Sequence, residues 1–599
     1  MALPSIKEIS EKAQNTFKKF PITLVWAIVG SFYFIVLLGQ SEKKFEEHLP
    51  LLLTFILGIS WLIAARFFIE RFAQPKKWIW VKGVVLALLV IYYWQLPKSE
   101  QLDGDIVQLT RFFLYFIAGH LFVLFAPFIG KWDNAAYWNY LKSVGFAILR
   151  SGIFSGVLYI GLVLALAAIN ALFDANVPGE RYGQLFIFCL GIANTWIYLS
   201  DFPKNVLETN SVEFNKALEV FVKYILIPLV LLYIVILYAY GFKIVFEWQL
   251  PQGWVSYLVT ALAILGFVVQ VIINPVQKTL KSWSINLFYP CFYYLLLPLV
   301  LLLFIAIFRR IADYGITENR YFVVSIAFWI LGMTLYLLFS KNKRLKVLPI
   351  SLFLLALMTS FGFWGTFQVS INSQTNQFAK VFQNVRANNN MATADEYQRL
   401  QSVLDYLNKR ESLTRLNNIT DIDMHAAFED SLNDKFGSYR WLDTSKVMDS
   451  LGIKMSPEEL AKTKYGNNYY YYYSSQNKTS TYTLEDFDQF SVYNLYPYND
   501  ENDDKIGDFL LNYDTKNVEF TLSQINRGDE GLHIPLRTKL ETLSQYGNEL
   551  SNLREEQLTM NVENDSIKLR LIFKDLGFYI EKDSVSVNNA QLYLFLKQK

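Results

Sequence analysis

The sequence predicts a polytopic α-helical membrane bundle of about eleven transmembrane helices, followed by a C-terminal extramembrane α+β domain. Of the 599 residues, 53% are hydrophobic and only 18% are charged, whereas soluble domains average about 25% charged residues. The charge is also divided unevenly: residues 1–367 hold 30 Lys+Arg against 19 Asp+Glu, and residues 368–599 hold 25 against 34. A basic apolar part joined to an acidic polar part excludes a single globular domain, a small secreted scaffold and a fibrous chain.

Eleven apolar runs in the first part have about the length that a helix needs to cross the hydrocarbon core, roughly 17 to 25 residues. The third run is short and the sixth contains Asn194, so these two are the weakest. The runs are Ile22–Gly39, Leu49–Phe68, Trp78–Tyr93, Phe112–Phe128, Gly145–Phe173, Gln184–Leu199, Tyr224–Phe242, Trp254–Ile273, Tyr289–Phe308, Tyr321–Phe339 and Val347–Phe367.

Residues 1–20 predict a basic amphipathic leader lying in the headgroup layer, with a frayed basic tail as the alternative. Ile6, Ile9, Ala13, Phe17 and Phe20 recur at intervals of three and four, which is typical of one helix face. The apolar run that follows has spanning length and lacks a small-x-small cleavage site, so it predicts a first span rather than a removed signal peptide.

The loop charges predict the orientation. With a cytoplasmic N-terminus, the cytoplasmic loops and helix ends collect 18 Lys and Arg residues against 9 on the other side, as the positive-inside rule requires. Eleven crossings then place the C-terminal region outside the cytoplasm. If one weak run fails to span, every later loop changes sides and its charge disagrees with the positive-inside rule. The disagreement is clearest for the basic cluster Lys341–Lys346.

Polar residues inside spans are candidates for function, because they are costly in lipid. His120 lies deepest, and we expect it to bond to a neighbouring helix more readily than to transfer protons. Arg150 lies within snorkelling reach of one edge, and Asn170 predicts an interhelical contact. No span carries a carboxylate at mid-depth in the sequence, which counts against a proton-coupled pump.

An internal similarity marks two candidate helix kinks, Pro228 and Pro298. The segment 224–232 matches 294–302 around these prolines, and the next spans share Ile264–Gly266 and Ile330–Gly332. A proline inside a span removes a backbone hydrogen bond and kinks the helix. A parallel repeat of the kind found in transporters and chance likeness of apolar runs both remain open.

After Phe367 the sequence predicts a stalk over 368–392 and an extracytoplasmic α+β domain over 393–599, behind a transmembrane domain over 21–367. Helical spacing marks segments starting near Thr393, around Ile422 and at the capping box Ser456–Glu459. The expected strands are Tyr469–Tyr473, Tyr482–Leu484, Phe490–Leu495, Val518–Leu522, Leu532–Leu536, Ser566–Phe573 and Gln591–Leu596.

The polar region carries little chemistry in its sequence. Its two histidines, His425 and His533, lie far apart and have no cysteine near them, so we predict no metal site and no cofactor. The acidic run Asp500–Asp504 lacks the glycine and the closing Glu of an EF-hand loop. The tyrosines 469–473 predict a strand with alternate faces, with stacking on a sugar or peptide as the alternative. An acidic domain across a membrane predicts no nucleic-acid partner.

Four segments together resemble the bacterial membrane proteins grouped as domain-of-unknown-function family 4153. They are Phe20-Pro21, Arg150-Ser151-Gly152, Asp201-Phe202-Pro203-Lys204-Asn205 and, most specifically, the stretch Arg310–Tyr321. The resemblance covers Met1–Phe367 and implies a polytopic protein of the bacterial cytoplasmic membrane, without an established activity. It directs attention to one candidate functional loop, whose residues are Tyr314, Glu318, Asn319, Arg320 and Tyr321.

Two functional hypotheses follow. The first is a non-enzymatic envelope protein, in which the bundle, embedded in the lipid bilayer, presents a periplasmic domain to an envelope protein partner or small ligand. The alternative is a transporter or lipid-handling protein with a site among transmembrane helices 7–10. The spans contain no Ser/His, Asp/Asp or His-Glu-x-x-His arrangement, so an intramembrane enzyme ranks third.

Overall fold

A computed structural model describes most of the chain, which divides into two compact units. Unit 1 comprises Met1–Gln383 and Leu400–Val447, and unit 2 comprises Asn384–Arg399 and Met448–Lys599. The described residues are 5–97, 105–130, 132–202, 206, 211–212, 214–247, 254–277, 280, 282–341, 343–431, 444–455, 469–474, 482–484, 486–495, 503–525, 531–544, 549–553, 555–580 and 584–599.

Unit 1 is helical. Its helices through the apolar part are α1 Ile6–Lys19, α2 Pro21–Leu37, α3 Glu42–Glu70, α4 Trp80–Gln95, α5 Ile106–Phe125, α6 Asn134–Phe173, α7 Glu180–Ile187, α8 Thr195–Ser200, α9 Lys216–Phe221, α10 Ile227–Glu247, α11 Trp254–Ile273, α12 Trp283–Tyr314, α13 Glu318–Phe339 and α14 Val347–Ser360. Two π-helical segments, Phe188–Asn194 and Val222–Leu226, join α7 to α8 and α9 to α10.

The membrane bundle predicted from composition is confirmed. Within the described residues, nine helices are long and apolar enough to cross a membrane, and a tenth is added if α1 and α2 count as one bent span. If each of these helices crosses once, consecutive spans alternate in direction and their ends fall at two membrane edges. We call the edge where α2 begins and α3 ends the leader edge, and the opposite edge the far edge.

The eleventh run, Val347–Phe367, is not the single spanning helix that we expected. Its helix α14 ends at Ser360 after 14 residues, which rise only about 21 Å. Gly362 then takes a positive φ of 84°, a conformation that glycine adopts without steric cost. The chain nevertheless reaches the far edge, because the Tyr321 hydroxyl near the start of α13 donates to the Trp364 carbonyl at 2.6 Å.

The leader forms the predicted helix and turns sharply into the first span. Ser5 and Glu8 form a reciprocal capping box at its start, and the axes of the two helices differ by 101°. Pro21 occupies the first turn of α2, where a missing N–H costs nothing. Phe20 at the bend is buried and packs on Phe67, so the bend is fixed by side-chain packing. The headgroup location of the leader stays a prediction.

Further helices follow the apolar part. In sequence order they are α15 Thr366–Ala387, α16 Ala394–Asn408, α17 Asn417–Thr420, α18 Met424–Ser431, α19 Thr444–Ser450 and, later, α20 Arg537–Ser544. The predicted amphipathic helix after Thr393 is confirmed as α16, which buries Leu400, Val403, Leu404 and Leu407. The capping box expected at Ser456–Glu459 lies outside the described residues.

Unit 2 is built mainly from strands. They are β1 Met391–Ala392, β2 Lys454–Met455, β3 Tyr469–Ser474, β4 Gln489–Leu495, β5 Asp503–Ile506, β6 Phe509–Asp514, β7 Glu519–Gln524, β8 Leu532–Pro535, β9 Glu549–Leu553, β10 Thr559–Glu563, β11 Ile567–Ile580 and β12 Val585–Gln598.

The described strands of unit 2 form two larger sheets and a short parallel pair, β1–β2. One sheet has the order β4-β12-β11-β3-β9, with β10 also paired to β11, and the other is the meander β5-β6-β7-β8. The long hairpin β11–β12 pairs Leu569 with Leu596 and Leu571 with Leu594. These leucines, together with Phe520 of β7, belong to one buried cluster, so the two sheets share a core.

Six of the seven expected strands form, and the tyrosine run contributes alternate faces to a sheet, as predicted. Tyr470 and Tyr472 are buried in the core, whereas Tyr471 is half-buried. The segment Tyr482–Leu484 is not a strand, since Tyr482 instead packs on Tyr593 and Phe595 of the adjacent sheet. The boundaries 367/368 and 392/393 stay predictions, and the compact units group residues 400–447 with the helical bundle.

Candidate functional site

The candidate loop joins α12 to α13 at the far edge, and helix α15 holds its backbone. Gly315 has φ 71°, and a Cβ at this position would lie 2.8 Å from Cγ of Gln377. The Ser373 hydroxyl accepts a hydrogen bond from the Ile316 N–H at 2.8 Å. Glycine is therefore required here both by the backbone conformation and by the close approach of α15.

Two further loop residues, Arg320 and Tyr321, donate hydrogen bonds to backbone carbonyls. Arg320 donates from Nη1 to the carbonyls of Tyr314 at 3.1 Å and Gly315 at 2.8 Å, which closes the turn. Tyr321 donates to Trp364 as described above, and Asn319 is exposed. Arg320 and Tyr321 thus fix the hairpin between α12 and α13.

Glu318 forms the strongest contact of the loop. Its carboxylate accepts from Arg410 through two bonds, Nε to Oε1 at 2.6 Å and Nη2 to Oε2 at 3.0 Å. The Tyr406 hydroxyl donates to Oε1 at 2.8 Å. The side chains of Glu318 and Arg410 are each only 9% exposed. We call these three residues the Glu318 clamp.

The geometry of the clamp makes it a structural lock. The guanidinium of Arg410 stacks 3.6 Å from the ring centre of Tyr406 and also donates to the Tyr406 carbonyl, so its orientation is fixed. Burial, followed by the negative charge of Glu318, raises the pKa of the Tyr406 hydroxyl, so the hydroxyl stays a donor well above neutral pH. A bidentate, charge-assisted pair of this kind is among the strong polar contacts in proteins.

His120 lies in an intramembrane groove of about 550 Å³. The groove is lined by apolar side chains of α2, α3, α5 and α6 and by the polar side chains of Ser31, Ser60, His120, Ser151, Asn194 and Thr195. The Nδ1 atom of His120 lies 2.8 Å from the Phe116 carbonyl of its own helix. The described bond is thus within α5, and not to a neighbouring helix as we expected.

A π-helical segment shapes the same groove. Phe188–Asn194 widens the helix turn in the sixth span, and such segments are frequent at functional sites. Gly191 within it lets Ser31 approach, since a Cβ at Gly191 would overlap the serine Oγ. The Ser155 hydroxyl donates to Oδ1 of Asn194 at 3.3 Å. The groove therefore offers hydroxyl, amide and imidazole groups at membrane depth.

The remaining candidates are dispersed. Arg150 pairs with Asp201 at 3.0 Å, and Asp201 also binds Lys12 of the leader at 2.7 Å. The Oδ1 atom of Asn170 accepts from the Val177 N–H at 2.9 Å, so this described bond closes the end of α6 instead of joining two helices. None of these contacts brings Arg150 or Asn170 to His120.

The two candidate kinks lie in spans, as expected, but the helices that follow them differ in packing. Pro228 is the second residue of α10 and follows a π-helical segment, whereas Pro298 lies inside α12 together with Pro290. A Cβ on Gly266 would overlap the Phe292 ring, and one on Gly332 would meet nothing within 4 Å.

Sequence reasoning missed a buried polar network in the bundle. Gln270 is 1% exposed; it donates to the Tyr289 carbonyl at 3.1 Å and accepts from the Tyr293 hydroxyl at 3.2 Å. Gln270, a polar residue within the apolar run Trp254–Ile273, was the signal in the sequence that could have revealed this network. Sequence reasoning also missed the contacts of Tyr406 and Arg410 with Glu318, because no local sequence pattern links these residues. Among the described residues, no group of three or more His, Cys, Asp or Glu side chains could hold a metal ion.

The fold therefore defines a polytopic membrane protein with an additional β-rich unit. Residues 9–392 match the family model of the domain of unknown function DUF4153, and the chain belongs to this family. An uncharacterised protein of Pasteurella multocida (strain Pm70) is 26% identical over 345 residues, which are 57% of this chain and 55% of that protein. The chain thus spans about half the length of this relative. No solved structure matches.

Proposed function

We propose that the protein is a non-enzymatic component of the bacterial inner membrane, whose bundle presents the C-terminal region to an envelope partner or small ligand outside the cytoplasm. The observation that carries the proposal is the β-rich unit 2, which has its own buried core and follows, in the chain, a bundle that holds the spans. A folded unit attached to a membrane anchor is suited to presentation.

The loop charges support the orientation, with the leader edge as the cytoplasmic one. The basic residues Lys341–Lys346 follow α13 at that edge, as the positive-inside rule favours. The chain then returns to the far edge before α15, as the contact of Tyr321 with Trp364 indicates. The Glu318 clamp adds a fixed attachment of residues 406–410 to the far edge, so the first part of the polar region starts from a rigid base.

An exposed face of unit 2 supports a binding role. Phe490 and Val492 of β4 are 43% and 52% exposed, and they pair across the strands with Phe595 and Tyr593. Exposed apolar side chains that lie side by side mark interaction surfaces more often than isolated ones do. This face is the proposed contact surface.

Cysteine labelling in intact cells tests the orientation. Cys189 and Cys291 are first replaced by alanine, and a single cysteine is then introduced at Asn517, in the turn after β6, or at Lys76, at the leader edge. A membrane-impermeant maleimide should label N517C from outside and should label K76C only after the cells are permeabilised. Labelling in the reverse pattern would refute the proposed presentation.

Photo-crosslinking tests the contact surface. A photoreactive amino acid at Val492 should give a defined adduct in cells, and one at Val587, which is 5% exposed, should not. The proposal further requires that the adduct form again with the purified partner and be reduced by Phe490→Asp, a change in the neighbouring exposed side chain of β4. Equal yields at the two positions would contradict a specific surface.

The second candidate function is that of a transporter or lipid-handling protein, and the His120 groove favours it. Polar side chains at membrane depth are costly unless they serve a substrate or one another. This groove is lined by residues of the first six spans, and it supports a site there in preference to the one first proposed among helices 7–10. Flux of a substrate in proteoliposomes that is lost in Asn194→Leu and retained in Asn170→Leu would support this function over presentation.

A further inference from the structure

A second membrane groove points to a bound lipid. We propose that the groove at the leader edge between α5, α6, α11, α13 and α14 holds an acyl chain of an anionic glycerophospholipid, with its headgroup phosphate beside Lys142. The inference does not depend on the presenting role proposed for the C-terminal region.

The groove has the size and lining of an acyl-chain site. Its volume is about 500 Å³, within the range of roughly 300–1,000 Å³ typical of ligand sites. Leu124, Phe146, Phe267 and Leu352 are among the apolar side chains that line it. Its wall includes Leu149, Ile264 and Val268, which are 56%, 47% and 48% exposed, so a lipid can enter sideways from the bilayer.

The position of the groove along the helices places its mouth at a headgroup layer. Its lining includes residues near the start of α6, the end of α11 and the start of α14, and all three helix ends fall at the leader edge. Trp138 lies there and donates from Nε1 to the Ile272 carbonyl at 3.2 Å. Tryptophan is enriched at the membrane–water interface, where its ring is apolar and its N–H finds a polar partner.

The charge at this mouth favours an anion. Lys142 is the charged side chain in the described lining, and its Nζ lies 5.6 Å from the Trp138 ring centre. Lys346, next to the lining residue Leu345, donates to the Phe128 carbonyl at 2.8 Å, and Arg344 flanks Leu345 on the other side. Two acidic groups lie near the lining, Glu219 beside Leu218 and Asp133 one helix turn before Tyr137, so the three cations outnumber them.

These features together favour an anionic lipid over a neutral lipid or a free anion. A neutral lipid would fill the apolar groove but gain nothing from the excess of positive charge at its mouth, and a free anion would leave the apolar volume unfilled. Basic pockets between transmembrane helices are suited to anionic headgroups. An anionic lipid fills the apolar groove with its acyl chain and places its phosphate at the basic mouth.

The test uses the full-length protein in detergent, titrated with dioleoyl phosphatidylglycerol or dioleoyl phosphatidylcholine and followed by native mass spectrometry. Two variants probe the two ends of the site. Gly145→Leu fills the groove, since Gly145 lines it and an added Cβ meets nothing within 4 Å, and Lys142→Gln removes the charge. Gly161→Leu, on the same helix with equally open space, and Lys223→Gln, beside the Tyr224 ring, are the matched controls.

The native protein should bind phosphatidylglycerol about fivefold more tightly than phosphatidylcholine, because one basic residue near a membrane surface contributes roughly that factor. Lys142→Gln should abolish the preference, Gly145→Leu should weaken both lipids about tenfold or more, and both controls should bind as the native protein does.

Three results would overturn the inference. Equal affinity of the native protein for the two lipids would remove the headgroup assignment. Unchanged binding in Gly145→Leu would place the lipid elsewhere. Displacement of phosphatidylglycerol by millimolar inorganic phosphate would show an anion site without an acyl-chain groove. Because Lys142→Gln changes a half-buried surface residue, it remains informative even if Gly145→Leu fails to fold.

Discussion

Removing the charge of Glu318 should release the segment that contains Tyr406 and Arg410 from the far edge of the bundle. Glu318→Gln keeps the size of the side chain but leaves the Arg410 guanidinium 9% exposed and without its counter-charge. Breaking a buried ion pair by removing one partner costs about 3–5 kcal/mol. We take the lower end, about 3 kcal/mol, because Tyr406 still has an amide oxygen to bond.

A cost of about 3 kcal/mol corresponds to a roughly hundredfold higher population of the open segment. Hydrogen exchange of the backbone amides in residues 400–416, read by mass spectrometry of the full-length protein in detergent, measures this population directly. Asp313→Asn is the matched control: it breaks the Arg309–Asp313 pair at 3.2 Å, whose side chains are 58% and 40% exposed. An exposed pair of this kind contributes about 1 kcal/mol or less.

A double-mutant cycle completes the measurement. If the clamp forms as described, Glu318→Gln combined with Arg410→Met should cost less than the two single changes added together, because the double variant leaves no buried unpaired charge. Exchange in Glu318→Gln that matches exchange in Asp313→Asn would show that Glu318 contributes no more than a surface pair, and the reasoning would fail.

Three further perturbations have defined outcomes. Gly266→Ala should destabilise the bundle by about 1–3 kcal/mol, because its Cβ would overlap the Phe292 ring and overpacking costs that much. The control Gly332→Ala should leave the thermal midpoint unchanged or raise it slightly. Equal thermal midpoints for the two variants would contradict the described packing of Gly266. Asp514 accepts from two backbone N–H groups of the turn after β6, and these bonds hold its pKa below the ordinary 3.8. The Asp514 carboxylate therefore stabilises the turn fully above pH 3.8, and this stabilisation is lost as pH falls through the lowered pKa. The increase in hydrogen exchange of this turn in acid should vanish in Asp514→Asn. An unchanged acid response in that variant would show that Asp514 does not hold the turn. Asp201→Asn should increase hydrogen exchange throughout the leader helix α1, because the Asp201 side chain, which is 6% exposed, binds Lys12 of the leader at 2.7 Å. Unchanged hydrogen exchange would show that apolar packing alone holds the leader in place.

The relation between the two glycines bears on the proposed internal repeat. They occupy equivalent places in the matched segments Ile264–Gly266 and Ile330–Gly332, yet one lies against a neighbouring ring and the other faces open space. The sequence likeness therefore does not extend to equivalent packing at these positions. Tertiary contacts, and not the local pattern, decide what each glycine does.

The class of the protein followed from the sequence because the bilayer imposes a strong local rule. A span must satisfy its backbone within one helix and must be apolar over about 20 residues, so the runs before Val347 could be identified without knowing their neighbours, whereas the eleventh run forms a shorter helix. The leader and helix α16 followed for a similar reason, since the spacing of their apolar residues fixes one buried face. Six of the expected strands formed, and the strands β1, β2, β5, β6, β9 and β10 were missed.

The contacts that give the candidate site its character were decided only by the tertiary structure. Glu318 and Arg410 are 92 residues apart, and no local pattern encodes which of the many arginines would reach a given carboxylate. The same holds for Asp201 with the leader, and for the groove beside Lys142, whose walls come from helices far apart in the chain. Hydrophobicity along the chain determines which segments enter the membrane, whereas the pairing of individual charges depends on distances that exist only after those segments pack.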